Sequence, residues 1–411
     1  MNVTWLEMKK ALLSPTILIL LVMFIVFNIY TVVSDSYKKD ELKVANDIVK
    51  QYGVTFNDEI LKTMQKDLNA DVQKLDAKYE DAETFLKEMT FEKHNEASEE
   101  KQKEIDRISL MQSYITIGEG LDERYAELDI EKLKEATIST YQFTGATAEY
   151  IDKEFEKLND RFDQMKETEE YKQWFFLGEY KMHSELFRGL LKNIALQGVL
   201  LVVLLSALIT NYEFEHRTQL VTYATKRGRH LMRNKLVANM LSTFIVLIPL
   251  FGLSLLAFFT VYDYSGLWRV HISSGLNWEY KWPYITWWPI ELWQYLLLAV
   301  FILVVTLLIV SLLTFAIGTL VKNSYLTWII CILFLASLFI VPSFFTGLPI
   351  LLLAMHFNIT LLLLNPHMYF SGRSNLTMME QHELWTLTIW MIFSLLCSYM
   401  ALRYFNRKDI V

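Results

Sequence analysis

Apolar runs of about eighteen residues or more leave this chain the fewest folds. A run of that length crosses a hydrocarbon core of roughly 30 Å as a helix, which satisfies all of its own backbone groups. Such runs lie at Thr16 to Val33 and at about Leu190 to Thr210, Val237 to Thr260, Leu292 to Val321, Tyr325 to Val341 and Leu384 to Leu402. With 53% hydrophobic residues over 411 positions, the chain reads as an all-α membrane protein with six transmembrane helices. Lys9 and Lys10 precede the first run as they would in a cleaved signal. Eighteen residues exceed the usual apolar core of about 7 to 15, so span 1 (15–34) is expected to be retained. The preceding residues 1–14, MNVTWLEMKKALLS, set an apolar face against Lys9 and Lys10, as in a helix lying on a membrane surface.

One further apolar stretch, LPILLLAMHFNITLLLL, decides the topology. As a full crossing it would separate the tail cations Arg403, Arg407 and Lys408 from the amino end. As a re-entrant helical pair over 342–366, broken by Pro342, Gly347 and Pro349, it keeps both ends on one side. The polar insert between the second and third runs fixes that side. Lys226, Arg227, Arg229, Arg233 and Lys235 cluster in the loop 211–236, which the positive-inside rule places in the cytoplasm. Both termini are then expected to be cytoplasmic, in a transmembrane unit covering 189–411.

Residues 35–188 hold 23 basic and 37 acidic side chains, a net −14, which leaves +7 for the rest of the chain. This block is expected to form an extracytoplasmic, coiled-coil-like helical domain between spans one and two. Ile60, Met64, Leu68, Val72, Leu75, Tyr79, Ala82, Leu86 and Met89 recur at steps of three or four, a helical stripe about eight turns long. A second helical stretch carries Ile105, Ile108, Tyr114 and Ile115, and a third Ile151, Phe155, Leu158, Phe162 and Met165. Breaks are expected at Gly118 and Gly120 and again near Gly145. No strand pattern stands out, and nothing resembles a nucleic-acid-binding surface.

The chemistry-bearing motifs are mostly negative. No segment matches GxxxxGK[ST], so any ATP-driven work needs a partner. His382-Glu383 lacks the second histidine of HExxH, no metal set emerges, and Cys331 and Cys397 sit inside apolar runs as buried thiols. His356 reads as a satisfied polar residue, and the Glu99-Glu100 and Glu167, Glu169, Glu170 groups as solvated helix faces. The spans as drawn contain almost no ionisable residues, with Glu291, Arg188 and Lys192 at their edges, which argues against an ion-coupled carrier. The loop 261–291 and its edge carry Trp268, Trp278, Trp282, Trp287, Trp288 and Trp293, six of eleven tryptophans. They read as a headgroup-level aromatic belt; a sharper reading makes the first five an outer gate over which an amphipathic substrate leaves the membrane.

Taken together, LEMKKALLSP before span 1, EFEHRTQLVTYATKRGRHLMRNK after span 2, GTLVKNSYLTW between spans 4 and 5, the apolar pair before the last span and the FNRKDI tail resemble the permease subunits of type-2 ABC exporters. The resemblance covers the six-span scaffold and not the domain at about 35–185. It implies a non-enzymatic permease in the bacterial plasma membrane, surrounded by membrane lipids. The permease would pair with a second copy or a paralogue and be driven by cytoplasmic ABC ATPase subunits, which alone bind ATP. The loop after span 2 would be the coupling helix, with Glu213, Glu215, Arg217 and Thr218 as its acidic start and Lys226, Arg227 and Arg229 near the ATPase. The expected cargo is amphipathic or hydrophobic: an antimicrobial peptide, a lipid or a drug. Two alternatives stay open: sodium or small-ion export by the same kind of complex, and a non-transporting membrane protein whose outer domain binds a secretion or sensing partner.

Overall fold

The computed structural model describes residues 3–177, 182–223, 228, 230–280, 284–345, 347–372 and 375–407. Six helices are long and apolar enough to cross a membrane: Pro15–Ser34, Ser184–Glu215, Leu231–Val261, Leu292–Val321, Ser324–Phe344 and His382–Arg407. The chain is therefore a multi-pass membrane protein. In order, α1 (Val3–Leu12) leads into α2 (Pro15–Ser34), the first span. The polar block follows as α3 (Lys39–Tyr52), α4 (Asp58–Leu75), α5 (Ala82–Glu88), α6 (Phe91–Glu96), α7 (Glu99–Glu119), α8 (Leu121–Glu127), α9 (Ile130–Tyr141) and α10 (Ala146–Thr168). Span 2 is a π-helical turn, Ser184–Leu191, running into α11 (Lys192–Glu215). Then come the short α12 (Gln219–Tyr223), span 3 as α13 (Leu231–Val261), and α14 (Ile272–Tyr280). Span 4 is α15 (Leu292–Val321), span 5 starts as α16 (Ser324–Ile340), and span 6 is α19 (His382–Arg407). Between the last two lie α17 (Pro349–Met355) and α18 (Ile359–Leu364).

The regular elements of the polar block are all helices, and the breaks between them follow local chemistry. The stripe from Ile60 to Met89 is two helices and not one of eight turns. Asp76 ends α4 in an extended conformation and accepts from the backbone of Lys78 (3.1 Å), while Asp81 caps α5 through Thr84 (2.7 Å). Short acidic side chains thus turn the chain where apolar spacing alone continues it. The break at Gly118–Gly120 falls between α7 and α8, and Gly145, at φ +57°, opens α10.

Three of the segments that enter or leave the spans at one end meet the polar domain there. Asn46 donates to the Asp263 carbonyl (2.7 Å), Arg161 to that of Thr286 (2.9 Å), and Glu154 accepts from the Glu380 backbone (3.0 Å). The domain core is completed by segments from far along the sequence. Trp278 of α14 packs on Phe56, Tyr114 and Trp174 at ring-centroid distances of 5.6, 5.3 and 5.6 Å. Among the described residues the only extended pairings are isolated bridges such as Thr55–Gln173.

In the bundle, α11 and α15 approach closely because Gly198 faces Leu307; a Cβ there would lie 2.7 Å from the leucine Cδ1. Some of the polar groups inside the bundle are paired across helices. Asn28 of span 1 exchanges hydrogen bonds with Gln197 of span 2 (2.8 and 2.9 Å) and donates to Ser254 of span 3 (2.9 Å). Asn28→Leu strands the Gln197 amide and is expected to cost about 1 kcal/mol, within roughly 0.6 to 1.7. Thermal unfolding in detergent checks this, with Asn28→Leu/Gln197→Leu expected to recover part of the loss.

The pair α17–α18 packs between spans 5 and 6. Asn358, at its turn, donates to the Leu338 carbonyl (2.5 Å), and Trp390 of span 6 donates to the Phe357 carbonyl (2.9 Å). Leu338 lies six residues inside the end of span 5 at Phe344, so the turn sits about 9 Å in at ~1.5 Å per residue.

Candidate functional site

At the end of the bundle opposite the polar domain, four charged residues and a tyrosine converge. Glu213 closes span 2, Lys235 lies in the first turns of span 3, and Glu7 and Lys10 stand one turn apart on α1. Lys235 has no exposed surface; its ammonium bonds the Ile209 carbonyl (2.6 Å), lies 3.4 Å from the Thr210 carbonyl, pairs with Glu213 and stands 3.7 Å from Glu7. Lys10 bridges Glu7 (2.7 Å) and Glu213 (3.3 Å) and lies over the Tyr212 ring at 4.5 Å. Tyr223, the last residue of α12, donates to Glu213 (3.1 Å) and is fully buried. Two carboxylates thus face two ammonium groups, and the burial of all but Lys10 makes each charge depend on its partners.

Burial alone would lower Lys10, but Glu7 and Glu213 outweigh it and hold its ammonium above the ordinary range. Burial first, and then Glu213, push the Tyr223 phenol up, so it stays a donor at neutral pH. The network braces the loop that leaves span 2. Arg217 takes a left-handed conformation (φ 54°) that ends the helix, and the Thr218 backbone returns to the Glu213 carbonyl (2.9 Å). Only then does α12 begin, with Leu220 57% and Val221 81% exposed on one side and Tyr223 anchored beneath. The turn between spans 4 and 5 joins the same platform: the Ser324 backbone donates to Glu215 (3.0 Å), and Asn211 donates to Thr327 (3.3 Å).

This geometry redistributes the residues expected from sequence. Glu213 is not part of an acidic start to a surface helix; it is 2% exposed and ends a span, so a soluble partner cannot touch it. Glu215 also belongs to that last turn, while Arg217 and Thr218 are exposed in the turn before α12. Lys235, counted by sequence among the loop cations, is the buried centre of the network. Lys226, Arg227 and Arg229 lie outside the described residues. The expectation of spans nearly free of ionisable groups holds for their middles only, since Glu213, Lys235 and Glu383 are buried near span ends.

The tryptophans divide. Trp278 and Trp287 are buried, with Trp287 donating to the Met378 carbonyl (2.7 Å), and they hold the domain core together where the sequence placed them on a surface or gate. Trp268 and Trp288 are half-buried, Trp293 is exposed at the start of span 4, and Trp282 lies outside the described residues. A loop rich in aromatic residues has the same composition whether it faces headgroups or fills a core, and only the partner rings distinguish the two.

Compared with known proteins, the chain matches no family model, no curated protein and no solved structure.

Proposed function

We propose that this chain is the membrane-spanning permease subunit of an ATP-driven exporter of the type-2 ABC kind, with its ATPase in separate cytoplasmic subunits and its polar domain outside the cell. The observation that carries the reading is the braced loop after span 2. A short helix with an exposed apolar edge, tied by buried charges to α1, span 2 and span 3, turns a push on its surface into a tilt of those elements. A loop that served solvation alone would not need a buried lysine beneath it. The α17–α18 pair would be re-entrant from the outer side, and its apolar walls favour an amphipathic or hydrophobic cargo such as a peptide, lipid or drug.

The test is purification of the full-length protein from its native membrane in mild detergent, with co-purifying proteins identified by mass spectrometry. A stoichiometric nucleotide-binding ATPase is expected with the wild type and is lost with Leu220→Glu/Val221→Glu, which changes only exposed positions. Absence of an ATPase from the wild type, or its retention by the variant, overturns the docking surface.

A second reading, in which the polar domain captures a cationic partner, has its own observation. A cleft of about 670 Å³ between the α8–α9 turn and α10 is lined by Glu127, Glu156 and Asp160, among other residues. The lysines beside them, Lys132, Lys134 and Lys166, are already paired with Asp129, Glu131 and Asp163. Sodium or small-ion export finds no comparable feature among the described residues.

A further inference from the structure

We infer that Arg188 and Lys192 form a site for the phosphate of an anionic membrane lipid at the domain end of span 2. The two cations lie one turn apart at the head of a stripe that continues through Leu196 and Leu200, which are 42% and 36% exposed. That stripe is turned away from the other spans, so its apolar part faces hydrocarbon and its two charges face whatever lies above. Arg188 is exposed and Lys192 half-buried, and neither has an ion pair or hydrogen bond among the described residues. The nearest acid on the same helix, Glu185, is taken by Lys38, which also reaches Asp35 (3.5 Å).

The depth of the pair follows from the hydrogen bonds between spans. Gln197 is level with Asn28, six residues below the end of span 1 at Ser34, or about 9 Å at ~1.5 Å per residue. Lys192 stands five residues above Gln197, about 7.5 Å, which brings it to the last turn of span 1. Arg188 lies a further turn out. Tyr30 and Tyr37, 68% and 56% exposed, flank this level on the neighbouring element, as aromatic residues do at a headgroup layer. The pair therefore meets the phosphate plane from the lipid side. A guanidinium fork and an ammonium at helical spacing fit the oxygens of one phosphodiester. The backbone around Arg188 is π-helical over Ser184–Leu191, a rare form that concentrates at functional sites. A phosphate anchored by an apolar tail suits a stripe of leucines below two cations, and free phosphate does not.

The experiment uses the full chain in nanodiscs of phosphatidylcholine with a minority of phosphatidylglycerol, followed by detergent extraction and mass spectrometry of retained lipid. Wild-type protein is expected to retain phosphatidylglycerol over phosphatidylcholine, and Arg188→Gln/Lys192→Gln to reduce that preference by about tenfold. Lys39→Gln/Lys43→Gln, which removes the same charge from exposed positions on α3, is expected to leave it unchanged. Arg188→Lys/Lys192→Arg, which keeps both charges, should retain the lipid and so separates charge from damage to the fold. Equal retention by the neutral pair and wild type, or equal loss in the α3 control, overturns the site. Displacement of the lipid by excess inorganic phosphate would assign the pair to free phosphate and overturn it as well.

Discussion

Lys235→Met is expected to destabilise the folded protein by about 3–5 kcal/mol, because it leaves Glu7 and Glu213 buried against the single ammonium of Lys10. Lys10 cannot take over the role. Its side chain is 34% exposed, and it reaches Glu213 only at 3.3 Å. The effect should appear as a lowered midpoint of unfolding in mixed micelles and as faster hydrogen exchange in the last turn of α11 and in α12. Lys235→Met/Glu213→Gln restores the charge balance and should recover most of the stability, since a neutral buried pair avoids the desolvation penalty. If the network behaved as surface ion pairs do, the single variant would cost less than about 1 kcal/mol and the effect would fade with salt. That outcome would remove the physical basis for a braced loop.

A comparable loss is expected at the other end of the molecule from Arg161→Met. Arg161 and Glu170 are each 6% exposed and paired; Arg161 also donates to the Thr286 carbonyl (2.9 Å) and Gln164 (3.1 Å), while Glu170 accepts from Ser273 (3.0 Å). Removing the guanidinium leaves a buried carboxylate with one hydroxyl partner and the Thr286 carbonyl without this donor, at a cost of about 3–5 kcal/mol. Hydrogen exchange should rise in the segment between spans 3 and 4, whose contacts with α10 pass through this pair. The neighbouring contact of Glu154 with the Glu380 backbone should keep the approach to span 6 protected. Unchanged exchange at 270–290 in Arg161→Met would show that the segment is held by the aromatic core around Trp278 alone. Glu170→Gln added to Arg161→Met tests whether the stranded charge, and not lost packing, is the cause.

The six spans were legible because uninterrupted apolar length has one main explanation, and span 4 was read at the bounds it has in the structure. The stripes on α4, α7 and α10 were legible for a similar reason: Leu68, Ile108 and Leu158 are buried as their spacing requires. The length of α4 was not, since an Asx turn at Asp76 costs the apolar pattern nothing. The ion network was hidden for a different reason. Glu213 and Lys235 are ordinary charges beside apolar runs, and their pairing depends on where two helices cross. The signal available was position: each lies within one to two turns of its helix end, on the face continuous with the buried residues Thr210 and Asn239. The tryptophan loop misled because aromatic enrichment carries no direction, whereas the rings of Phe56, Tyr114 and Trp174 that receive Trp278 are more than a hundred residues away.

That separation bears on how the protein is made. The polar domain begins at residue 35, yet its core closes only when Trp278 arrives and its base only when Gly372 seats against Leu158. At ~5–20 residues per second, synthesis of the intervening chain takes on the order of ten seconds or more. During that interval Phe56, Tyr114 and Trp174 stand uncovered on a charged, partly assembled body beside a bilayer still receiving spans. The net −14 of residues 35–188 works against association of nascent copies over that interval, because like-charged bodies repel.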